Sequence, residues 1–349
     1  MNLNENLVLP QKVLDEAYVA SSKGLDLRSY PAELDAFEVK ELRRELADYC
    51  KANTWKDIVP GTGGDQLLDL LCQFKLGRAR PEGTIVTVKP TFSMYSINAI
   101  KAGGRVVELP LGSSSDKENP FKLDVLKIIS ACKAKNVKIL ALASPNNPTG
   151  IQYQKEDIKK ILESISSKVL IILDEAYFEY GDYTAMDLLD SYDSLVILRT
   201  LSKAYGLASQ RIGYAVTLNQ ELSEKLNNFQ IPFPINSLGI NIALELLKKK
   251  DIILGYARLT GRLRDNLADQ FAQFDQRFIR VIPKSKGNFI LVESRKARKI
   301  FTMLLERYKI AVKYMPQLEK GSDFLRITVG RESQNMYLLD SLRSLEKEI

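Results

Sequence analysis

Residues 199–211 read Arg-Thr-Leu-Ser-Lys-Ala-Tyr-Gly-Leu-Ala-Ser-Gln-Arg, and this stretch decides the fold. The apolar run 195–198 precedes it and is typical of a buried strand. Lys203 lies among small hydroxylated residues, and Arg211 follows eight positions later. An amine in this setting can form a Schiff base while hydroxyl and guanidinium groups hold a phosphate. The pattern indicates pyridoxal phosphate as a cofactor, although a single Ser-Lys pair is also a common surface dipeptide.

Two earlier apolar runs also end in polar residues. The segment 144–150, Ser-Pro-Asn-Asn-Pro-Thr-Gly, follows the run 139–143. The segment 174–177, Asp-Glu-Ala-Tyr, follows the run 169–173. Open α/β sheets bind ligands at the carboxyl ends of their strands. We therefore expect these segments and Lys203 to meet at one edge of a sheet.

The residue types in these segments suit the pyridine ring of that cofactor. A carboxylate beside the ring nitrogen keeps it protonated, so that the ring accepts electrons from a breaking bond at the substrate Cα. Asp174 is the candidate for this role. An amide and a phenol can donate to the ring's phenolic oxygen, and Asn147 and Tyr177 are the candidates. The alternative for Asp174 and Glu175 is a helix N-cap with an acidic first turn.

Strand-like runs alternate with helical patterns along most of the chain. Helical patterns include 39–51 and 155–165, and a long one begins near Asn236. The strand-like runs are 85–88, 106–109, 139–142, 169–173, 195–198, 213–216 and 289–293. This alternation predicts an α/β fold with a mainly parallel sheet wrapped by helices.

Four motifs in fixed order carry a family resemblance. Three are the segments 144–150, 174–177 and 199–208, and the fourth is 325–330, Leu-Arg-Ile-Thr-Val-Gly. The chain resembles the fold-type-I pyridoxal-phosphate aminotransferases, with the closest likeness to the histidinol-phosphate aminotransferases. The resemblance covers almost the whole chain, from Asn4-Glu5-Asn6 to the last helical pattern.

The resemblance implies a domain organisation and an assembly. A large domain over 28–235 would contain a mainly parallel seven-stranded sheet and bind the cofactor. Residues 1–27 and 236–349 would form a smaller α/β domain. The protein would be a homodimer with shared active sites.

The resemblance also implies further site residues. The cofactor phosphate would be held at the start of a helical pattern and by nearby hydroxyl and guanidinium groups, namely Gly63, Gly64, Asp65, Thr200, Ser202 and Arg211. Phe92 would stack on the ring, and Tyr30 would reach the cofactor phosphate of the neighbouring subunit. Arg326 would bind the substrate α-carboxylate through two hydrogen bonds, with Asn147 close to the substrate as well. The alternatives are ordinary core for Phe92, a turn residue for Tyr30 and a surface ion pair for Arg326.

The chain departs from the family pattern where a substrate phosphate would bind. Family members usually carry a longer N-terminal segment that helps to cover the site, whereas Asn4-Glu5-Asn6 lies near the first residue here. We expect part of that pocket to be built differently. Lys313, thirteen residues before Arg326, stands where the family often has a phosphate-binding arginine. Lysine keeps the charge but lacks the planar fork of arginine.

The composition excludes several other classes. The 349 residues contain no histidine, which excludes Ser-His-Asp and Cys-His catalysis and the usual histidine-bearing zinc sites, and no metal is expected. Cys50, Cys72 and Cys132 lack paired spacing, which favours free thiols in a reducing cytoplasm. The net charge of +7 comes from dispersed lysines, and no apolar run approaches about 20 residues. Neither nucleic acid nor a membrane is therefore expected as a partner.

Together with these residues, the resemblance implies a ping-pong aminotransferase acting on L-histidinol phosphate and 2-oxoglutarate. Lys203 would move a proton from the substrate Cα to the cofactor, and an oxo acid would then accept the amino group. Three alternatives stay open. An aromatic or broad-range amino-acid aminotransferase would use Arg326 equally well, and a phosphothreonine-type decarboxylase shares the fold. A non-catalytic, cofactor-binding regulator is the third, although all the chemical positions are filled and no DNA-binding extension is present.

Overall fold

A computed structural model of the chain describes residues 1–77, 83–116, 120–319 and 321–349. Within these ranges, seven strands form the larger sheet: β1 Ile58–Thr62, β2 Thr84–Lys89, β3 Arg105–Pro110, β4 Val137–Ala143, β5 Leu170–Asp174, β6 Leu195–Thr200 and β7 Ile212–Val216. Four strands form the smaller sheet: β8 Arg280–Val281, β9 Phe289–Glu293, β10 Lys313–Glu319 and β11 Ser322–Thr328. The helices are α1 Gln11–Ser22, α2 Phe37–Cys50, α3 Gly63–Leu76, α4 Met94–Lys101, α5 Val125–Cys132, α6 Lys155–Ser164, α7 Gln220–Phe229, α8 Ser237–Leu247, α9 Lys250–Phe271, α10 Ala297–Glu306 and α11 Glu332–Glu348.

The larger sheet has the strand order β1-β7-β6-β5-β4-β2-β3. Strands β6, β5, β4, β2 and β3 pair in parallel, and β7 is antiparallel to both of its neighbours. The predicted α/β fold with a mainly parallel sheet is therefore confirmed. The sequence did not predict β1, because its five residues include Pro60 and Gly61, which are depleted in strands.

Helices cover both faces of the larger sheet, which explains the unbroken apolar runs. In β4, Leu140 and Leu142 pack in the core on one face, whereas Ile139 and Ala141 pack in the core on the other. Side chains alternate between faces along a strand, so a strand covered on both sides is apolar at every position. The fully apolar runs 139–142, 169–173 and 195–198 thus mark strands in the interior of the sheet, whereas the run 106–109, which contains Glu108, forms the edge strand β3.

A second core lies between the smaller sheet and α10 and α11. This sheet is antiparallel, with the order β10-β11-β9-β8, and Ile327 and Leu342 belong to its core. The packing changes partway along α9, because Ile253 lies in the core of the larger sheet and Leu267 in the smaller one. The α8 side chains also pack with the larger sheet. The boundary at residue 236 stays a prediction.

The parallel pairing brings three polar segments to one edge of the larger sheet. Ala143 at the end of β4 pairs with Asp174 at the end of β5, and Asp174 pairs with Leu198 near the end of β6. The loops that follow these strands therefore start side by side. In the part of the chain that the structure describes, no helix has the length and apolar character needed to cross a membrane.

Candidate active site

A cavity of about 300 Å³ opens at the carboxyl ends of β4, β5 and β6. The strand ends and following loops of the larger sheet, α3, α4, strand β11 and the N-terminal segment line it, with the residues Leu3, Asn4, Gly64, Asp65, Leu68, Phe92, Tyr95, Ala143, Pro145, Asn147, Asp174, Ala176, Tyr177, Leu198, Arg199, Thr200, Ser202, Lys203, Arg211 and Arg326. Its volume lies at the lower end of the range of roughly 300–1,000 Å³ for ligand pockets. The three segments singled out in the sequence thus meet in one place.

Asp174, at the end of β5, is a half-buried carboxyl group that lines the cavity. Its Oδ2 accepts a hydrogen bond from the Tyr95 hydroxyl at 2.6 Å, and its Oδ1 accepts one from the Ala176 backbone N–H at 2.9 Å. Burial raises the pKa of Asp174 above its usual value, and the two hydrogen bonds oppose this shift. A cationic ring N–H placed beside this carboxylate would stabilise its ionised form.

Lys203 lies close to the N-terminal segment and to Tyr177. Its Nζ is 3.4 Å from the backbone carbonyl oxygen of Leu3 and 5.6 Å from the centre of the Tyr177 ring. The loop that carries Lys203 is fixed by Asn6, whose side-chain amide donates to the Ala204 carbonyl at 2.8 Å. The amine therefore projects into the cavity from a restrained backbone.

Hydroxyl, amide and guanidinium groups gather at another part of the cavity. Thr200 Oγ1 lies 2.9 Å from Ser202 Oγ, and Arg211 reaches Asp65 Oδ2 at 3.4 Å. Gly64 is in the first turn of α3, where backbone N–H groups favour anions, and open space surrounds the position that a Cβ would take. These groups suit a phosphate, which would compete with Asp65 for Arg211.

Two glycines allow the backbone and Arg211 to pack closely around this phosphate-binding part of the cavity. A Cβ on Gly213 of β7 would lie 2.3 Å from the Gly64 backbone nitrogen, closer than real Cβ atoms come. Gly63 has a φ of +73°, and a Cβ there would lie 2.7 Å from Arg211. Both positions therefore require glycine, because β7, Arg211 and the start of α3 pack directly against one another.

Arg326 is a buried cation that strand β11 contributes to the lining of the cavity. One guanidinium nitrogen donates to Asn147 Oδ1 at 2.5 Å, and another donates to the Asn2 carbonyl at 2.8 Å. Its Nε is buried and has no partner among the described residues, and burial lowers the pKa of Arg326. An incoming anion could satisfy this unpaired donor, which is what the carboxylate-binding role predicted for Arg326 requires.

The Tyr177 side chain is held by Asn4 of the N-terminal segment. The Asn4 amide donates to the Tyr177 hydroxyl at 3.0 Å, while Asn4 Oδ1 lies 3.2 Å from Thr328 Oγ1. Because the Tyr177 oxygen accepts from Asn4, its own proton can point elsewhere in the cavity. The N-terminal segment therefore forms one wall of the site and links it to β11.

Three predicted site residues do not line the cavity. Gly63 lies just behind it against Arg211. Tyr30 is 82% exposed and stacks on Phe233, with 5.0 Å between ring centres. Lys313 is exposed on β10.

Sequence reasoning missed other lining residues, chiefly Leu3, Asn4 and Tyr95. Asn4 lies in the Asn-Glu-Asn motif, but its positive φ of +55° is visible only in the structure. Tyr95 resembles any core aromatic in the sequence, since its helical spacing gives no sign of its contact with Asp174.

The comparisons with known proteins agree with this geometry. The sequence model of the family Aminotransferase class I and II matches residues 1–342. The chain therefore belongs to this family, and it is a pyridoxal-phosphate-dependent aminotransferase with a fold of type I, as the sequence predicted.

Several relatives that are similar to this chain bear the name histidinol-phosphate aminotransferase. Histidinol-phosphate aminotransferase of Thermoanaerobacter pseudethanolicus is 35% identical over 307 residues, which cover 88% of this chain and 82% of the relative. That of Clostridium novyi is 30% identical over 344 residues, covering 98% and 90%. The crystal structure of the histidinol-phosphate aminotransferase of Clostridium acetobutylicum has a TM-score of 0.85 at 25% identity and covers 100% of this chain and 99% of its own.

The cavity residues fit pyridoxal phosphate. Gly64, Thr200, Ser202 and Arg211 would hold the phosphate, and Asp174 would face the ring nitrogen. Bound there, the cofactor supplies a ring that accepts electrons from the substrate Cα.

Proposed function

We propose that this protein transfers an amino group from L-histidinol phosphate to 2-oxoglutarate by a ping-pong mechanism. The observation that carries the proposal is the placement of Lys203, Asp174 and the buried, incompletely paired Arg326 around one cavity. The relatives that bear the name histidinol-phosphate aminotransferase, at 30–35% identity over most of the chain, support the choice of substrate. The product would belong to histidine biosynthesis.

Each side chain has a task that its surroundings suit. Lys203 Nζ takes the proton from the substrate Cα and delivers it to the cofactor. Its restrained loop holds the amine in the cavity for this task. Arg326 binds an anionic group, either the carboxylate of the oxo acid or the phosphate of the amino donor. The side-chain oxygen Oδ1 of Asn147 accepts a hydrogen bond from Arg326. The side-chain NH2 group of Asn147 is then left to donate to the cofactor.

We also propose a homodimer in which Tyr30 completes the neighbouring site. Leu27, Tyr30 and Phe37 are large apolar side chains of the segment 27–37, with 87%, 82% and 68% of their surfaces exposed. Phe233 stacks on Tyr30 and adds a second aromatic ring at that position. Exposed apolar surface of this kind is typical of an interface with another protein chain. Because Tyr30 does not line the cavity of its own chain, its side chain is available to the cavity of a partner subunit.

A reducing cytoplasm is our proposal for the location. Cys50, Cys72 and Cys132 are buried free thiols. Burial raises the pKa of Cys72 and Cys132 to about 12, which makes these thiols poor nucleophiles. Three unreactive thiols are compatible with a compartment in which disulfides do not form.

Steady-state rates with four amino donors test the proposed reaction. Histidinol phosphate, phenylalanine, aspartate and phosphothreonine would each be assayed with 2-oxoglutarate. We expect the highest kcat/KM with histidinol phosphate. Faster turnover of phenylalanine would favour the aromatic aminotransferase, and release of carbon dioxide from phosphothreonine would favour the decarboxylase. No turnover of any donor by cofactor-loaded protein would contradict the catalytic proposal.

A further inference from the structure

Tyr95 lies in the first turn of α4, next to the cofactor-binding residues. Its side chain is fully buried, with 0% exposure, and it lines the cavity together with Phe92 and Asp174. Its ring meets that of Phe92 edge to face, with 5.8 Å between ring centres and 83° between ring planes. Its hydroxyl oxygen is 2.6 Å from Asp174 Oδ2. One side chain thus touches both the predicted stacking residue and the carboxylate.

The direction of the hydrogen bond follows from the burial of the pair. Burial, with the neighbouring Asp174 charge second, raises the pKa of Tyr95 well above its usual value, so the tyrosine keeps its proton at any pH the protein meets. The hydroxyl is therefore a permanent donor and the carboxylate oxygen the acceptor. Asp174 Oδ1 accepts separately from the Ala176 N–H at 2.9 Å, so each oxygen has its own fixed donor.

We propose that Tyr95 is a positioning residue for the aminotransferase reaction: its hydroxyl orients Asp174 and holds it as a carboxylate facing the pyridine nitrogen. Two donors, one on each oxygen, fix the rotation of the carboxyl plane. A buried carboxyl group without such donors favours its neutral form, which could no longer stabilise a protonated ring nitrogen. Phe92 has no hydrogen-bonding group and cannot take over this task.

The effect of the Tyr95 hydroxyl should depend on the cofactor's ring nitrogen, which separates this role from simple packing. The Tyr95→Phe variant of the full chain, freed of cofactor, would be titrated with pyridoxal phosphate and with its 1-deaza analogue, which lacks that nitrogen. Losing a hydrogen bond to a charged group should weaken pyridoxal phosphate binding about tenfold or more. Binding of the deaza analogue should change by less than about twofold. Equal weakening of both, or unchanged binding of pyridoxal phosphate, would overturn the proposal.

Tyr153→Phe is a matched control. Tyr153 is also buried, and its hydroxyl has no partner among the described residues. Removing that hydroxyl should leave the affinities for both compounds unchanged. A loss as large as that of Tyr95→Phe would show that buried tyrosine hydroxyls act through packing alone, and would overturn the proposal.

Two further variants test the route through Asp174. In an Asp174→Asn background, Tyr95→Phe should change pyridoxal phosphate affinity by less than about twofold, because the partner charge is already absent. An independent tenfold loss there would contradict the proposed route. Replacement of Tyr95 by 3,5-difluorotyrosine keeps the ring shape and strengthens the donor, so it tests the proposal even if Tyr95→Phe unfolds. It should favour pyridoxal phosphate over the deaza analogue, and an unchanged ratio would overturn the proposal.

Discussion

Lys313 lies directly opposite Arg326 in the antiparallel ladder between β10 and β11. Residues opposite each other in such a ladder project from the same face of the sheet, with Cβ atoms about 4.5–5.5 Å apart. The spacing of thirteen residues seen in the sequence is therefore the span of a β-hairpin. It places an exposed lysine beside the buried arginine of the cavity.

We expect Lys313→Ala to lower kcat/KM for histidinol phosphate and to affect phenylalanine much less. An exposed cation contributes about 0.2–1 kcal/mol, which corresponds to a loss of roughly 1.4- to fivefold. The loss should shrink at high salt, because salt screens exposed charges. Lys299→Ala removes an exposed charge from α10 and serves as the control. An equal loss for both substrates would make Lys313 a structural residue.

Lys203 should be the residue bound to the cofactor. Borohydride reduction of the yellow holoenzyme, followed by proteolysis and mass spectrometry, should place the reduced cofactor on the peptide that contains Lys203. Lys203→Ala should retain the fold and lose transamination by several orders of magnitude, because it removes both the attachment point and the proton carrier. Modification of a different lysine would refute the assignment.

Asp174→Asn should bind the cofactor but abstract the substrate proton orders of magnitude more slowly. A neutral amide cannot keep the ring nitrogen protonated, so the ring accepts electrons less readily. Stopped-flow measurement of the first half-reaction would isolate this step from product release. Turnover close to that of the unmodified enzyme would rule out the proposed role of Asp174.

Mixing Tyr30→Phe and Lys203→Ala chains, each of which should be impaired alone, tests the shared active site. If Tyr30 acts in the partner's site, a dimer of one Tyr30→Phe chain and one Lys203→Ala chain contains one intact site and one doubly altered site. After subunit exchange of equal amounts, activity should recover to about a quarter of the unmodified value. Exchange verified by mass spectrometry without any recovery would show that Tyr30 acts within its own chain.

Glu179 should make stability depend on pH. Its Oε1 accepts from the Tyr49 hydroxyl at 3.2 Å, but its Oε2 is buried without a partner in the described part of the chain. Burial raises the pKa of Glu179 from 4.5 to about 8. The folded state therefore holds this proton more tightly than the unfolded state, and the resulting stability is present at low pH and is lost as the pH rises from about 4.5 to about 8.

Glu179→Gln removes the buried charge and should reduce the fall in stability between pH 5 and pH 9, by an amount on the order of 2–4 kcal/mol in the free energy of unfolding. Denaturant unfolding at several pH values would measure it. Glu224→Gln, at an exposed position of α7, is the control and should leave the pH dependence unchanged. Parallel pH profiles for Glu179→Gln and the unmodified protein would contradict the prediction.

The sequence by itself determined the fold class and most of the cavity. Apolar runs such as 139–142 identify buried strands because both faces of a parallel sheet are covered, and the polar residues that follow them must then lie at the sheet's carboxyl edge. Asn147, Asp174 and Lys203 could be selected this way, since position and chemistry are both local properties.

Only the tertiary structure decided the contacts between distant segments. Tyr95 and Asp174 are 79 residues apart, and the Asn2 carbonyl that pairs with Arg326 is 324 residues away. Periodicity reveals which face of an element is buried, but it does not reveal which buried side chain meets which. That choice depends on how helices and sheets pack in three dimensions, which is why the partner of Asp174 and the wall formed by the N-terminal segment emerged only from the folded chain.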